Sequence, residues 1–145
     1  MIIATFPDGN IVSESPLNYN PYGICSNSSN GNVWIVSLAS SAYEYAHGSA
    51  TPMAEVTIPN NFLTECAVDP NTGAFAVCNG YGIPSFSVDV WHNTSTAPTI
   101  YSTSFVPYSV TYDNKDNIFG DGFDTNRTFV LAEAKSERVC TFGMS

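Results

Sequence analysis

Few groups in this 145-residue chain have types and spacing suited to chemistry. Its two histidines, His47 and His92, are the raw material for acid–base work or a metal site. They close two similar alternating runs, Ala42 to His47 and Phe86 to His92. Repetition alone explains that placement, so the pair is read as structural or exposed. No Ser-His-Asp order, Gly-x-Ser-x-Gly elbow or phosphate-binding Gly-rich loop stands out. The stretch Asp113-Asn114-Lys115-Asp116-Asn117 through Asp121-Gly122-Phe123-Asp124 invites a calcium reading. Lys115 and Ile118 fall where an EF-hand needs a ligand and a glycine. The stretch is therefore read as turn chemistry, in which Asp and Asn bond their own backbone.

Cys25, Cys66, Cys78 and Cys140 show no metal-binding spacing. They allow two disulfides in any of three connectivities, or buried free thiols, the simpler reading for Cys in strands. Asn27-Ser28-Ser29, Asn93-Thr94-Ser95 and Asn126-Arg127-Thr128 are glycosylation sequons that an Asn/Ser/Thr-rich chain also produces by chance. Met1 to Phe6 is too short for a signal peptide. The compartment stays open: an intracellular chain, or an extracellular or periplasmic one whose leader has been removed. Tyr22, Tyr81 and Tyr108 sit in connections or strand starts, and Tyr81 belongs to the insertion Asn79-Gly80-Tyr81-Gly82-Ile83-Pro84. Loops carry binding more often than scaffolds do, and a tyrosine offers an apolar ring with a hydrogen-bonding hydroxyl. These three are the candidate ligand-binding residues.

The elements that must position these groups follow from composition and repetition. Charged residues make up 12% of the chain and hydrophobic ones 43%, a low-charge mix that suits strands and tight turns rather than surface helices. Pro21-Tyr22-Gly23-Ile24-Cys25-Ser26-Asn27 matches Pro107-Tyr108-Ser109-Val110-Thr111-Tyr112-Asp113, and Leu63-Thr64-Glu65-Cys66-Ala67-Val68-Asp69 lies between them, 42 residues after the first. Each copy continues into a polar turn (Asn30-Gly31-Asn32, Thr72-Gly73-Ala74, Lys115-Asp116-Asn117) and an apolar run beginning at Val33, Phe75 or Ile118. In that alignment Trp34, Phe75 and Phe119 share one core position. Third strands are expected over Ala42–His47, Phe86–His92 and Thr128–Ala132, and fourth strands over Met53–Pro59, Thr99–Phe105 and Arg138–Phe142.

Four antiparallel strands per roughly 42 residues is the pattern of a propeller blade. The chain is expected to be all-β, a partial β-propeller forming one domain. Residues 1–17 make an outer-strand hairpin, and 18–61, 62–106 and 107–145 make three blades.

The charge excludes some partners. Thirteen acids face only Lys115, Arg127, Lys135 and Arg138, for a net charge of −9. No basic patch can form for nucleic acid. No apolar run approaches the roughly 20 residues that span a bilayer, so membrane insertion is not expected.

The segments Pro-x-Gly-Ile, Asn-Gly-Asn-Val-Trp-Ile-Val, Asp-Pro-Asn-Thr-Gly and Tyr-Asp-Asn-x-x-Asn-Ile-Phe, within residues 21 to 135, resemble the NHL and gluconolactonase-like propeller superfamily. The resemblance implies a ring of about six blades around a channel that binds a ligand at one face. This chain is about half that length. Three blades leave open faces, so self-association into a six-bladed dimer is expected, with a fragment of a longer propeller as the alternative. The resemblance also implies a divalent metal near the channel, held by acidic and amide side chains. Glu65 is the candidate metal ligand, because Gly23 and Ser109 show that the repeat needs no carboxylate there. Asn79, Asp121 and Asn114 are its candidate partners, and calcium is the kind of hard cation such oxygens suit. The plainer reading is a solvated acid at a strand end, with no cofactor. Two functions follow. The first is a non-catalytic binding or assembly module for a protein or glycan, with no catalytic residues. The alternative is a metal-dependent hydrolase or lactonase-like enzyme at the channel.

Overall fold

The computed structural model describes residues 2–5, 10–14, 20–59, 61–80, 86–124, 126, 129–135 and 138–142. Among them there is no helix; fourteen strands make three four-stranded antiparallel sheets and one hairpin. The hairpin joins β1 (Ile2–Thr5) and β2 (Asn10–Glu14). The first sheet runs in order β3 (Pro21–Ser26), β4 (Val33–Ser37), β5 (Ser41–Tyr45), β6 (Pro52–Thr57). The second contains β7 (Leu63–Val68), β8 (Phe75–Asn79), β9 (Phe86–Trp91) and β10 (Thr99–Thr103). The third contains β11 (Val106–Tyr112), β12 (Ile118–Phe123), β13 (Phe129–Lys135) and β14 (Arg138–Phe142). Each sheet is a simple meander, and β7 lies between β3 and β11. This is the stacking of propeller blades, with the first strand of each innermost.

A side-chain-capped turn joins the first and second strands of each four-stranded sheet. Asn27 Oδ1 accepts from Ser29 N at 2.9 Å, Asp69 Oδ1 from Asn71 N at 2.8 Å, and Asp113 Oδ1 from Lys115 N at 2.7 Å. The turn needs one left-handed residue, supplied by Gly31 (φ 74°), Gly73 (φ 75°) and Asp116 (φ 62°). Asp is among the few non-glycine residues that tolerate this region. The third turn is also one residue shorter: Asp69 N donates to Ala74 O, but Asp113 N donates to Asn117 O. Asp113 to Asn117 thus works as turn chemistry, whereas Asp121 to Phe123 belong to β12.

The middle sheet is buried on both faces. Trp34, Val36, Ala42 and Val56 of the first sheet pack against Leu63, Cys66, Phe75, Val77 and Trp91 of the second. On the other face, Ala76, Cys78, Val88 and Val90 meet Val110 and Ile118. Strand register corrects the repeat alignment. Cys25 pairs with Trp34, Ala67 with Ala76 and Thr111 with Phe119, so Trp34, Ala76 and Phe119 are equivalent. Phe75 is equivalent to Val33 and Ile118 and faces the preceding sheet. Trp34 and Phe75 are therefore partners across an interface, with ring centroids 3.9 Å apart and planes at 16°.

The cysteines also depart from the simpler expectation of free thiols. Cys25 on β3 and Cys66 on β7 form a disulfide, with Cα atoms 5.7 Å apart, joining the innermost strands of two adjacent blades. Their strands lie side by side, which brings the two residues together. Cys78 is free and buried, and burial, with the Asp121 and Glu65 carboxylates adding to it, holds its thiol protonated. The side chain of Cys140 lies outside the described residues.

This packing generates two stability predictions. The disulfide closes a separation of 41 residues, so replacing Cys25 and Cys66 together by Ala should cost about 3–4 kcal/mol in denaturant unfolding. Unchanged stability would mean the crosslink does not form in solution. Asp89 is 2% exposed and its Oδ1 has no hydrogen-bond partner. Burial raises its carboxyl pKa, partly offset by a hydrogen bond from Ser87. A raised carboxyl favours the folded state only while protonated, so its contribution fades as pH rises above about 4. Asp89→Asn should raise the melting temperature at pH 7 by a few degrees, for roughly 1 kcal/mol, and by less near pH 3.5. An equal effect at both pH values would refute this account of Asp89.

Candidate functional site

The three innermost strands begin alike, with a break in register. Pro21 pairs with Ser37 and Gly23 with Val36, leaving Tyr22 extra. Pro107 pairs with Gly122 and Ser109 with Asp121, leaving Tyr108 extra. In the middle blade the shift falls between Leu63 and Cys66, at Thr64 and Glu65. A β-bulge turns an extra side chain out of the ladder and commonly borders binding sites. Tyr22, Tyr108 and Glu65, three of the residues singled out by sequence, thus occupy equivalent bulges at one end of the stack.

The geometry draws them together. The Tyr22 and Tyr108 hydroxyls are 3.0 Å apart, although 86 residues separate them and a whole blade stands between their sheets. Both rings remain exposed, at 49% and 41%. Tyr108 also meets Phe123 edge-on, with centroids 6.4 Å apart. Beneath them the buried Thr64 hydroxyl reaches the carbonyls of Tyr108 (3.3 Å) and Pro107 (3.5 Å), tying the second bulge to the third. Such contacts require bare backbone at two places. A Cβ on Gly23 would stand 2.5 Å from the Thr64 carbonyl, and one on Gly80 would stand 2.8 Å from that of Pro107. Glycine at these positions lets neighbouring blades close at their inner ends.

Glu65 is half-buried beside Gly23, and its Oε1 accepts from Cys66 N at 3.2 Å. Of its candidate partners, Asp121 is half-buried on β12, opposite Ser109. Asn79 is buried, with Nδ2 donating to Ser87 Oγ at 3.3 Å and Oδ1 unpartnered. Asn114 belongs to the turn at the far end of the blade, where its carbonyl accepts from Asn71 Nδ2 at 3.1 Å. Asn114 therefore stands apart from Glu65, whereas the Glu65 and Asp121 carboxylates both lie near Cys78. Among the described residues, no three His, Cys, Asp or Glu side chains gather to hold a metal. Tyr81 lies outside the described residues, although Gly80 before it is packed against the third blade. His47 and His92 are exposed at the opposite end from the bulges. Sequence alone gave no sign of the bulges themselves. Their nearest signal was the recurrence of Pro-Tyr at Pro21-Tyr22 and Pro107-Tyr108.

No family model matches this chain, and no curated protein is similar to it in sequence. Its fold is similar to several solved structures. With a chain of the nidogen/laminin complex it shares a TM-score of 0.71 at 10% identity, covering 85% of this chain and 48% of that one. With the Cps50 (Swd1) β-propeller domain of Myceliophthora thermophila the TM-score is 0.61 at 9% identity, covering 97% and 57%. With a putative oxidoreductase (glucose dehydrogenase) of Thermus thermophilus it is 0.55 at 8% identity, covering 77% and 43%. The chain spans about half the length of these structures. At such identities the likeness concerns the fold, which is a partial β-propeller.

Proposed function

We propose that this chain is a non-catalytic binding module of the NHL and gluconolactonase-like propeller type, recognising a protein or glycan at the bulged end of its blades. One observation carries the reading: two exposed tyrosines from different blades meet through their hydroxyls at 3.0 Å. Phe62, just before β7, and Phe123, at the end of β12, are 51% and 46% exposed at the same end. Clustered exposed aromatics are unusual on a solvated surface and supply large contact area with little rotamer entropy to lose. A similar fold occurs in a chain taken from a complex of two proteins, that of nidogen and laminin. No comparable observation favours the lactonase-like alternative.

Self-association is part of the same reading. Phe119 occupies in the third blade the place that Trp34 holds in the first, yet it is only half-buried. A second copy laid against this face, as the second blade lies against the first, would bury it. The Cys25–Cys66 disulfide supports an oxidising setting, extracellular or periplasmic.

The test pairs a glycan array and light scattering with the double variant Tyr22→Ala, Tyr108→Ala. A ligand held by the wild-type chain should lose at least about tenfold in affinity, the size of ~1.4 kcal/mol, while the fold and solution mass stay unchanged. Equal binding by wild type and variant would sink the proposal. A monomer at all concentrations, near 15.6 kDa, would refute the self-association alone.

A further inference from the structure

The chain builds the same blade-to-blade interface twice, and the two copies differ in kind. Between the first and second blades, Trp34 stacks on Phe75 and Val68 packs beside them. Between the second and third, the equivalent positions hold Ala76, Ile118 and Tyr112. In place of the aromatic stack an alanine faces an isoleucine, and a tyrosine phenol stands where the first interface has the isopropyl group of Val68. Beside Ile118 lies a cavity of about 350 Å³, at the small end of the ~300–1,000 Å³ usual for small-molecule sites. Ala74, Val90 and Ile118 form its buried apolar floor, while Thr99, Tyr101 and His92 stand at its solvent-facing rim.

The polar groups of this cavity select a ligand. Tyr112 Oη is buried and has no hydrogen-bond partner, a costly arrangement unless something fills it. Burial, with the Asp69 carboxylate and Tyr101 nearby, raises its pKa, so it stays a proton donor seeking an acceptor. The two carboxylates at the cavity are already engaged. Asp69 accepts from Asn71 N, Thr72 N and Thr72 Oγ1, and Asp116 Oδ1 accepts from Asn71 Nδ2 at 2.7 Å. Neither is left bare to demand a cation, yet both repel an anion. The Tyr101 ring offers a flat apolar wall.

We infer that the cavity between the second and third blades, lined by Tyr101, Tyr112, His92 and Thr99, is a binding site for a neutral sugar ring, separate from the tyrosine pair at the bulged end. A pyranose supplies a hydroxyl acceptor for Tyr112, a donor for the second oxygen of Asp116, whose Oδ1 is the one already engaged, and a C–H face for Tyr101. The inference does not rest on the function proposed for that other end.

Backbone-amide NMR of the full chain tests it, with the methyl glycosides of glucose, mannose and galactose as probes and butylammonium and phosphate as charged controls. At least one glycoside should shift the amide signals of Val90, His92, Tyr101 and Tyr112. Tyr112→Phe, which keeps the ring, should weaken that binding about fivefold and leave the rest of the spectrum in place. Ala76→Trp, restoring the packing of the first interface, should abolish it. If that variant fails to fold, Tyr112→Phe decides alone. The inference is overturned if no glycoside shifts these signals, so that the cavity holds water only. Shifts confined to Tyr22 and Tyr108, butylammonium binding in place of the sugars, or equal binding by Tyr112→Phe would overturn it as well.

Discussion

Everything in this molecule depends on how closely β7 can lie between β3 and β11. Sheets normally pack about 10 Å apart through their side chains, but blades around an axis must converge at their inner edges. Here convergence reaches the point at which the Cβ of Gly23 or Gly80 would intrude on a neighbouring carbonyl. A side chain in either place would force the inner strands apart, and overpacking of that kind costs about 1–3 kcal/mol. The disulfide between β3 and β7 and the hydrogen bond from the Thr64 hydroxyl of β7 to β11 hold the same edge from its two sides. The tyrosine pair is a result of this convergence, since rings on blades one and three meet only because the middle blade is thin at its inner end.

Farther out, the interfaces need bulk, and the chain supplies it unequally. The first has the Trp34–Phe75 stack, with Trp91 tilted against Phe75 at 6.0 Å. The second is floored by alanine, valine and isoleucine. The two interfaces therefore differ in volume while sharing one hydrogen-bonded frame. Where the volume is smaller, polar side chains are present. Asp89 shows the reverse strain: a carboxylate in a row whose neighbours Val77 and Ile100 are apolar.

Much of the frame was legible in the sequence because turn chemistry and alternation are local. Asn30-Gly31-Asn32, Thr72-Gly73-Ala74 and Lys115-Asp116-Asn117 marked the three turns, and the strands at Phe86–Trp91 and Arg138–Phe142 lie within or on the expected spans. Strand ends were overdrawn by a residue or two, as at Tyr45 and Thr103, where the ladder stops before the polar connection does. The candidate tyrosines were visible as residues at strand starts, but their meeting was not, since it depends on bulges at three separate places. The alignment slipped by one residue in the middle blade, where register puts Ala76, not Phe75, in the place that Trp34 and Phe119 hold. In a strand one residue exchanges faces, and this made partners look like equivalents for Trp34 and Phe75. The crosslink was hidden for a similar reason, because the adjacency of Cys25 and Cys66 belongs to the stacking of blades and not to either strand.

That crosslink also changes how the molecule would bear load. Tension applied at the two ends passes from Cys25 to Cys66 through the sulfurs and bypasses the 41-residue separation between them. Strands β4, β5 and β6 sit inside the bypass, so pulling cannot peel them off in sequence. The extensible contour shortens by roughly 140 Å, at about 3.4 Å per residue. The first blade becomes a locked cartridge, and mechanical give is left to the second blade beyond Cys66, the third blade and the terminal hairpin.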